Sequence, residues 1–204
     1  MKLYNSIGMN PQAVRVFIAE KGLTIPMSTI DLPGMENRRE PYLSKVNPAG
    51  QSPALELDDG SVITEVTAIC EYLEDMHPKP ALIGSNAKEK AEARMWIRRI
   101  DLNILEPMAN GFRYGDAADF FKPRMRIIPQ AADDLKKLTQ ERLTWLDGLM
   151  AGRQWVCGSR FTLADIMLAC WVNLFKDRGQ PLNPANRNVN AIIERTAARP
   201  SMKA

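Results

Sequence analysis

The sequence predicts a two-part chain: a small mixed α/β domain of element order βαβαββα over residues 1–80, then an all-helical bundle over residues 81–204. Three observations predict it. Short strand-like apolar runs alternate with helical patterns only in the first half, the arrangement of a sheet covered by helices. His77-Pro78-Lys79-Pro80 is a stiff junction, because proline restricts itself and the residue before it. The charge balance also changes there: residues 1–80 hold 7 basic and 11 acidic side chains, and residues 81–204 hold 20 and 13.

Residues 2–5 read as a first strand, and residues 11–21, with Val14, Phe17 and Ile18 at helical spacing, as a helix ended by Gly22. Residues 25–32 suit a second strand, residues 33–39 a loop, and residues 41–46 a short helix begun by Pro41. Asp58-Asp59-Gly60 between the apolar runs 54–57 and 61–63 signals a hairpin. A helix over 65–76 points Ile69, Cys70, Tyr72 and Leu73 to the core. Beyond residue 80, helical spacing covers 87–114, 122–150, 162–177 and 189–198, with Pro107 expected to kink or end the first of these. Thr162 and Asp165, flanked by Phe161 and Ile166, have the spacing of a capping box with a hydrophobic staple. Removing that cap by Thr162→Ala should cost about 1 kcal/mol.

At 204 residues and 45% hydrophobic the chain can bury a full core. It opens with no basic-then-apolar leader, and its longest apolar run, residues 166–172, is far too short for a bilayer, so a soluble cytoplasmic protein is expected. Cys70, Cys157 and Cys170 lack metal or disulfide spacing; Cys70 and Cys170 fall in apolar helical patterns, and Cys157, placed beside Gly158 to be the more accessible, is still expected to be structural. His77, the single histidine, has no partner for metal binding or base catalysis. Arginines 94, 98 and 99 lie among acids and apolar residues without a nucleic-acid-binding signature. Neither metal, nucleic acid nor membrane is an expected partner.

Two motifs stand out. Pro53 opens an apolar strand, where a missing backbone N–H is tolerated, and a cis Ser52–Pro53 bond would turn the Ser52 backbone outward to pair with an extended ligand. Glu65 opens a helix whose free N–H groups and positive dipole end favour a carboxylate, while its own side chain can hold an ammonium. Together they fit the zwitterionic end of a peptide.

The chain resembles the soluble glutathione transferase family, which joins a thioredoxin-like N-terminal domain to a helical C-terminal domain. The likeness spans nearly all residues. It rests on Leu3-Tyr4, Lys45 with Asn47-Pro48, Ser52-Pro53-Ala54-Leu55, Thr64-Glu65 leading to Ala68-Ile69 and Tyr72-Leu73, and Phe161-Thr162-Leu163-Ala164-Asp165. The resemblance implies a cytoplasmic homodimer that binds glutathione as co-substrate, without other cofactor, and conjugates its thiolate to a small hydrophobic electrophile, a detoxification activity. It implies that Ser52 and Pro53 pair with the glutathione backbone, that Glu65, Val66 and Thr67 hold its γ-glutamyl end, and that Gln51 or Lys45 lies near its glycyl carboxylate. Val66 departs from the serine usual there. Family members place a donor near the sulfur, and the first-helix register puts Met9 and Asn10 at those positions. Asn10 is the expected donor, Ser6 the alternative, and Asn10 is also placed to cap the helix that Pro11 begins. A glutathione-dependent disulfide reductase, or a non-catalytic binding or regulatory protein on the same fold, is the alternative function.

Overall fold

The computed structural model describes residues 1–204. The chain forms two compact units, Met1–Ile83 with Pro200–Ala204, and Gly84–Arg199. The sheet lies in the first, the helical bundle in the second.

The first unit follows the order read from the sequence. Strand β1 (Lys2–Asn5), helix α1 (Met9–Glu20), β2 (Met27–Thr29), α2 (Tyr42–Lys45), β3 (Ala54–Glu56), β4 (Val62–Thr64) and α3 (Val66–Met76) run in turn. The sheet order is β2-β1-β3-β4, with β1 parallel to β2 and antiparallel to β3, and β3 antiparallel to β4. Alternation decides the core: Leu3 and Leu55, opposite each other across β1 and β3, are fully buried with Val14, Phe17, Ile69 and Leu73. Each such side chain contributes roughly 2–3 kcal/mol of burial free energy.

Two boundaries in this unit differ from the expectation. Helix α1 starts at Met9 with Gly8 as its N-cap, so Asn10 lies inside the first turn and does not cap it. Gly8, at φ 114°, takes a conformation that disfavours other residues, and Gln12 N–H bonds to its carbonyl at 3.1 Å. Proline is tolerated anywhere in a first turn, because those N–H groups have no partner within the helix, and Pro11 marks the start only to within a residue or two. The second strand is cut to three residues, since only Met27–Thr29 pairs with β1.

A buried ion pair fastens this unit. Lys21, just past α1, and Glu74 on α3 form a salt bridge with side chains 0% and 3% exposed. The Lys21 ammonium also donates to the carbonyls of His77 and Pro80 at 2.7 and 2.6 Å, while Glu74 accepts from the N–H groups of Leu82 and Ile83.

In the second unit, α4 (Ala87–Ile100) runs through a π-helical turn, Asp101–Leu105, into α5 (Glu106–Tyr114). The wide turn directly precedes Pro107, whose ring would clash with a carbonyl one α-turn back. Residues 122–131 are not the start of a long helix. Helix α6 (Ala118–Phe121) is one turn, and α7 spans only Ala132–Leu149, because Pro123 and Pro129 interrupt the pattern. Helix α8 (Leu163–Phe175) is buried on nearly every side, and α9 (Arg187–Ala197) completes the bundle. The capping box at Thr162 and Asp165 is formed. No helix is long and apolar enough to cross a membrane.

Candidate functional site

Strand register brings the separated motifs together. Tyr4 pairs with Ala54, and Ala54 with Thr64. Three segments therefore leave one end of the sheet side by side: Ser6 after β1, Ser52-Pro53 before β3, and Glu65 after β4.

The loop before β3 is fixed by buried polar side chains. Asn47, 3% exposed, accepts the Ala49 N–H at 2.9 Å and donates to the Gln51 carbonyl at 2.9 Å, which the Tyr42 hydroxyl also reaches at 2.7 Å. Burial pushes the Tyr42 hydroxyl up to about 12, so it remains a donor at neutral pH. Asn37 donates to the Gly50 carbonyl at 2.6 Å, and Arg38 to that of Ala49 at 3.1 Å. Gly50 sits at φ 60°, with the Asn37 carbonyl oxygen 2.8 Å from where a Cβ would stand. The loop ends in a cis Ser52–Pro53 bond. Pro53 is buried and Ser52 half-buried, whereas Gln51 and Lys45, the last residue of α2, are exposed.

Ser6 is 2% exposed, and its hydroxyl lies 2.5 Å from that of Ser52 and 3.2 Å from the Ile7 carbonyl. Arg15 on α1 braces the same corner, donating to Asn5 Oδ1 at 2.6 Å and to the Ser6 carbonyl at 3.3 Å. Asn10 is half-buried in the first turn of α1, two residues beyond Gly8.

Glu65 is the N-cap of α3, with φ 71° and ψ 129° and an exposed side chain that makes no cap bond. Its carbonyl accepts the Ile69 N–H at 3.0 Å. The first turn, Val66 at 7% exposure and half-buried Thr67, carries no acid, so nothing on the helix itself offsets the positive dipole end.

The structure thus gathers Ser6, Ser52, Pro53, Glu65, Val66 and Thr67 at one sheet end, with Asn10 at the start of the adjoining helix. Asn37, Tyr42 and Asn47, which hold the loop, received no role from the sequence reading. Asn47 carried a signal, since asparagine before Pro-Ala-Gly favours a turn closed by its own side chain. All three cysteines are buried, Cys157 included, contrary to the expectation that it is the more accessible. Burial raises the Cys157 thiol to about 11, away from the nucleophilic thiolate. No cluster of three or more His, Cys, Asp or Glu side chains stands ready to hold a metal ion.

Comparison with known proteins adds independent findings. The family model of the glutathione S-transferase N-terminal domain matches residues 10–76, and that of the C-terminal domain residues 129–196. Glutathione S-transferase 2 of Saccharomyces cerevisiae is 31% identical over 163 residues, 78% of this chain and 69% of that protein. Glutathione S-transferase GstA of Escherichia coli is 29% identical, covering 100% of this chain and 96% of its own. The crystal structure of a glutathione S-transferase domain-containing protein from Marinobacter aquaeolei has a TM-score of 0.92 at 30% identity, over 99% of this chain and 100% of that one.

Proposed function

The chain belongs to the glutathione S-transferase family, and from that premise we propose that it binds glutathione at this sheet end and conjugates the thiolate to a small hydrophobic electrophile. One observation carries the reading: the Tyr4–Ala54–Thr64 register sets Ser52 and Pro53 beside the start of α3. An extended peptide pairing with Ser52 would have its γ-glutamyl carboxylate at the free N–H groups of Val66 and Thr67 and its ammonium near the Glu65 carboxylate. Lys45 or Gln51 would meet the glycyl carboxylate.

Conjugation needs a thiolate at neutral pH, while an unperturbed thiol titrates near 8.5. We assign the donor role to Asn10, whose amide N–H₂ would stabilise the thiolate together with the positive end of α1. Met9 has no donor to offer. Ser6, buried with its hydroxyl against Ser52, is better suited to position that residue than to reach a ligand sulfur. Asn10→Ala should therefore raise the thiol pKa of bound glutathione by about one unit and lower kcat/KM correspondingly, measured as thiolate absorbance against pH. An unchanged thiol pKa in Asn10→Ala, with loss in Ser6→Ala, would reverse the assignment.

Calorimetric titration with glutathione tests binding, and failure to saturate at millimolar concentrations would end the proposal. A substrate panel then tests the reaction. The asparagine at position 10 is the feature that favours disulfide reduction, which turnover of a mixed disulfide above that of an aryl halide would support; the methionine at position 9 and valine at position 66 favour a non-catalytic binding protein, which binding of glutathione without turnover of any substrate would support. We further propose a cytoplasmic homodimer acting in detoxification. A monomeric mass by light scattering would remove the dimer.

A further inference from the structure

We propose that the helical unit carries a second binding site, a row of arginines that takes a ligand bearing two or more clustered phosphate groups. Arg99 and Arg153 lie over the Trp96 ring, their guanidinium carbons 5.0 and 5.2 Å from its centroid. Arg195 and Arg199 lie over Trp155 at 5.3 and 5.9 Å, and Arg199 also stacks on Phe161 at 4.0 Å. The two groups are joined: Arg153 donates to the Val156 carbonyl at 3.1 Å, Arg195 donates to the Gln154 carbonyl, and the Trp155 and Phe161 rings meet at 4.9 Å. The row runs from α4 across the turn at 153–156 to the end of α9.

Four arginines lie over the rings of Trp96, Trp155 and Phe161, and Arg153 joins the first ring to the turn that carries the second. Stacking holds the guanidinium planes of Arg99, Arg153 and Arg195 in place, which lowers the entropy lost when their N–H groups close on an oxyanion. Among the acids on or next to α4, Glu89 and Glu92 are engaged by Arg160, and Asp101 by Arg98. Glu194, beside Arg195, is the one to be outweighed.

The ring burial narrows the ligand. Trp96 and Trp155 are 3% and 7% exposed, so neither indole offers an open face on which a nucleobase could stack. What is presented is fixed positive charge with paired donors, which matches phosphate oxygens bidentately.

Sodium tripolyphosphate is the probe, titrated calorimetrically into the intact chain at low salt, with orthophosphate as the single-phosphate comparison. The expected result is saturable binding of tripolyphosphate, weakened about tenfold or more for orthophosphate and falling as salt screens the row. Arg99→Gln with Arg195→Gln should weaken it about tenfold, and Arg126→Gln with Lys137→Gln, the same charge loss elsewhere, by less than about twofold. Should the glutamine pair unfold, Arg99→Lys with Arg195→Lys decides, since it keeps the charge and loses the fork, giving an intermediate loss. Sedimentation with vesicles carrying a bisphosphorylated inositol headgroup separates a lipid source from a free anion. Glutathione binding should be unchanged in every variant. No saturable tripolyphosphate binding, or equal losses in the row and control variants, overturns the proposal.

Discussion

Glu65 stands at φ 71°, in a region where a side chain costs about 1–3 kcal/mol, and it shares this half of the map with only one other non-glycine residue, Met35. Such an outlier at a helix start points to function, because a glycine would hold the same turn without strain. Glu65→Gly is accordingly expected to leave the melting temperature unchanged or higher while glutathione affinity falls at least tenfold; a variant that binds normally would deny Glu65 its role. Gly50 makes the opposite case. Its φ of 60° and the Asn37 carbonyl oxygen 2.8 Å from a would-be Cβ leave no room for a side chain. Gly50→Ala should cost about 1–3 kcal/mol in urea unfolding and loosen the loop that carries Ser52. These two residues also show what single positions disclose. Gly50 after Pro48-Ala49 reads as a turn in the sequence, but nothing in Thr64-Glu65-Val66 announces a left-handed glutamate, since that conformation is imposed by the strand before it and the helix after it.

Helix ends and their fastenings decide stability between elements. Asp165, fully buried, accepts the N–H groups of Val156 and Thr162 at 2.7 and 2.8 Å and so ties the turn before α8 to its first residues. Desolvation raises its carboxyl from 3.8 to about 6, against the bonds that lower it. The native state therefore keeps this proton to higher pH than the unfolded chain. Its favourable linkage is complete below about pH 4 and is lost as pH rises through about 6. Asp165→Asn does not titrate, and its stability deficit against the parent should shrink between pH 5 and pH 7.5 in urea unfolding; a constant or growing deficit contradicts this. The Lys21–Glu74 pair works between α1, α3 and residues 77–83. Lys21→Met strands a buried carboxylate and should cost about 3–5 kcal/mol, whereas adding Glu74→Leu should recover only part, because the N–H groups of Leu82 and Ile83 and the carbonyls of His77 and Pro80 lose their partners. Equal stability of single and double variants would remove the pair from this role. The capping box was legible because its residues lie three apart. Lys21 and Glu74 are 53 positions apart and each looks like a solvated charge, so this bond was not.

For the whole chain, the first compact unit is not one stretch of sequence: Pro200–Ala204 belongs with it, and Gln12 and Glu20 on α1 bond to Met202 and Ser201. Deleting residues 200–204 should speed amide exchange in α1 and leave α8 unchanged, as read by mass spectrometry; uniform exchange across the chain would refute the link. What the sequence by itself determined is the order of strands and helices, the change of architecture near residue 80, and the family signature, because hydrophobic spacing, proline and glycine act over a few residues. Pro123 and Pro129 break the helix expected over residues 122–150, and α1 starts two residues before Pro11, because a first-turn proline locates a helix start only to within a turn. Only the tertiary structure decided that Ser6, Ser52 and Glu65 share one end of the sheet, and that α9 and the residues just after it carry Arg195 and Arg199 to the same turn as Arg153. The physical reason is register: a strand shifted by one residue turns every side chain to the other face, and which register forms depends on packing between segments that the sequence holds far apart.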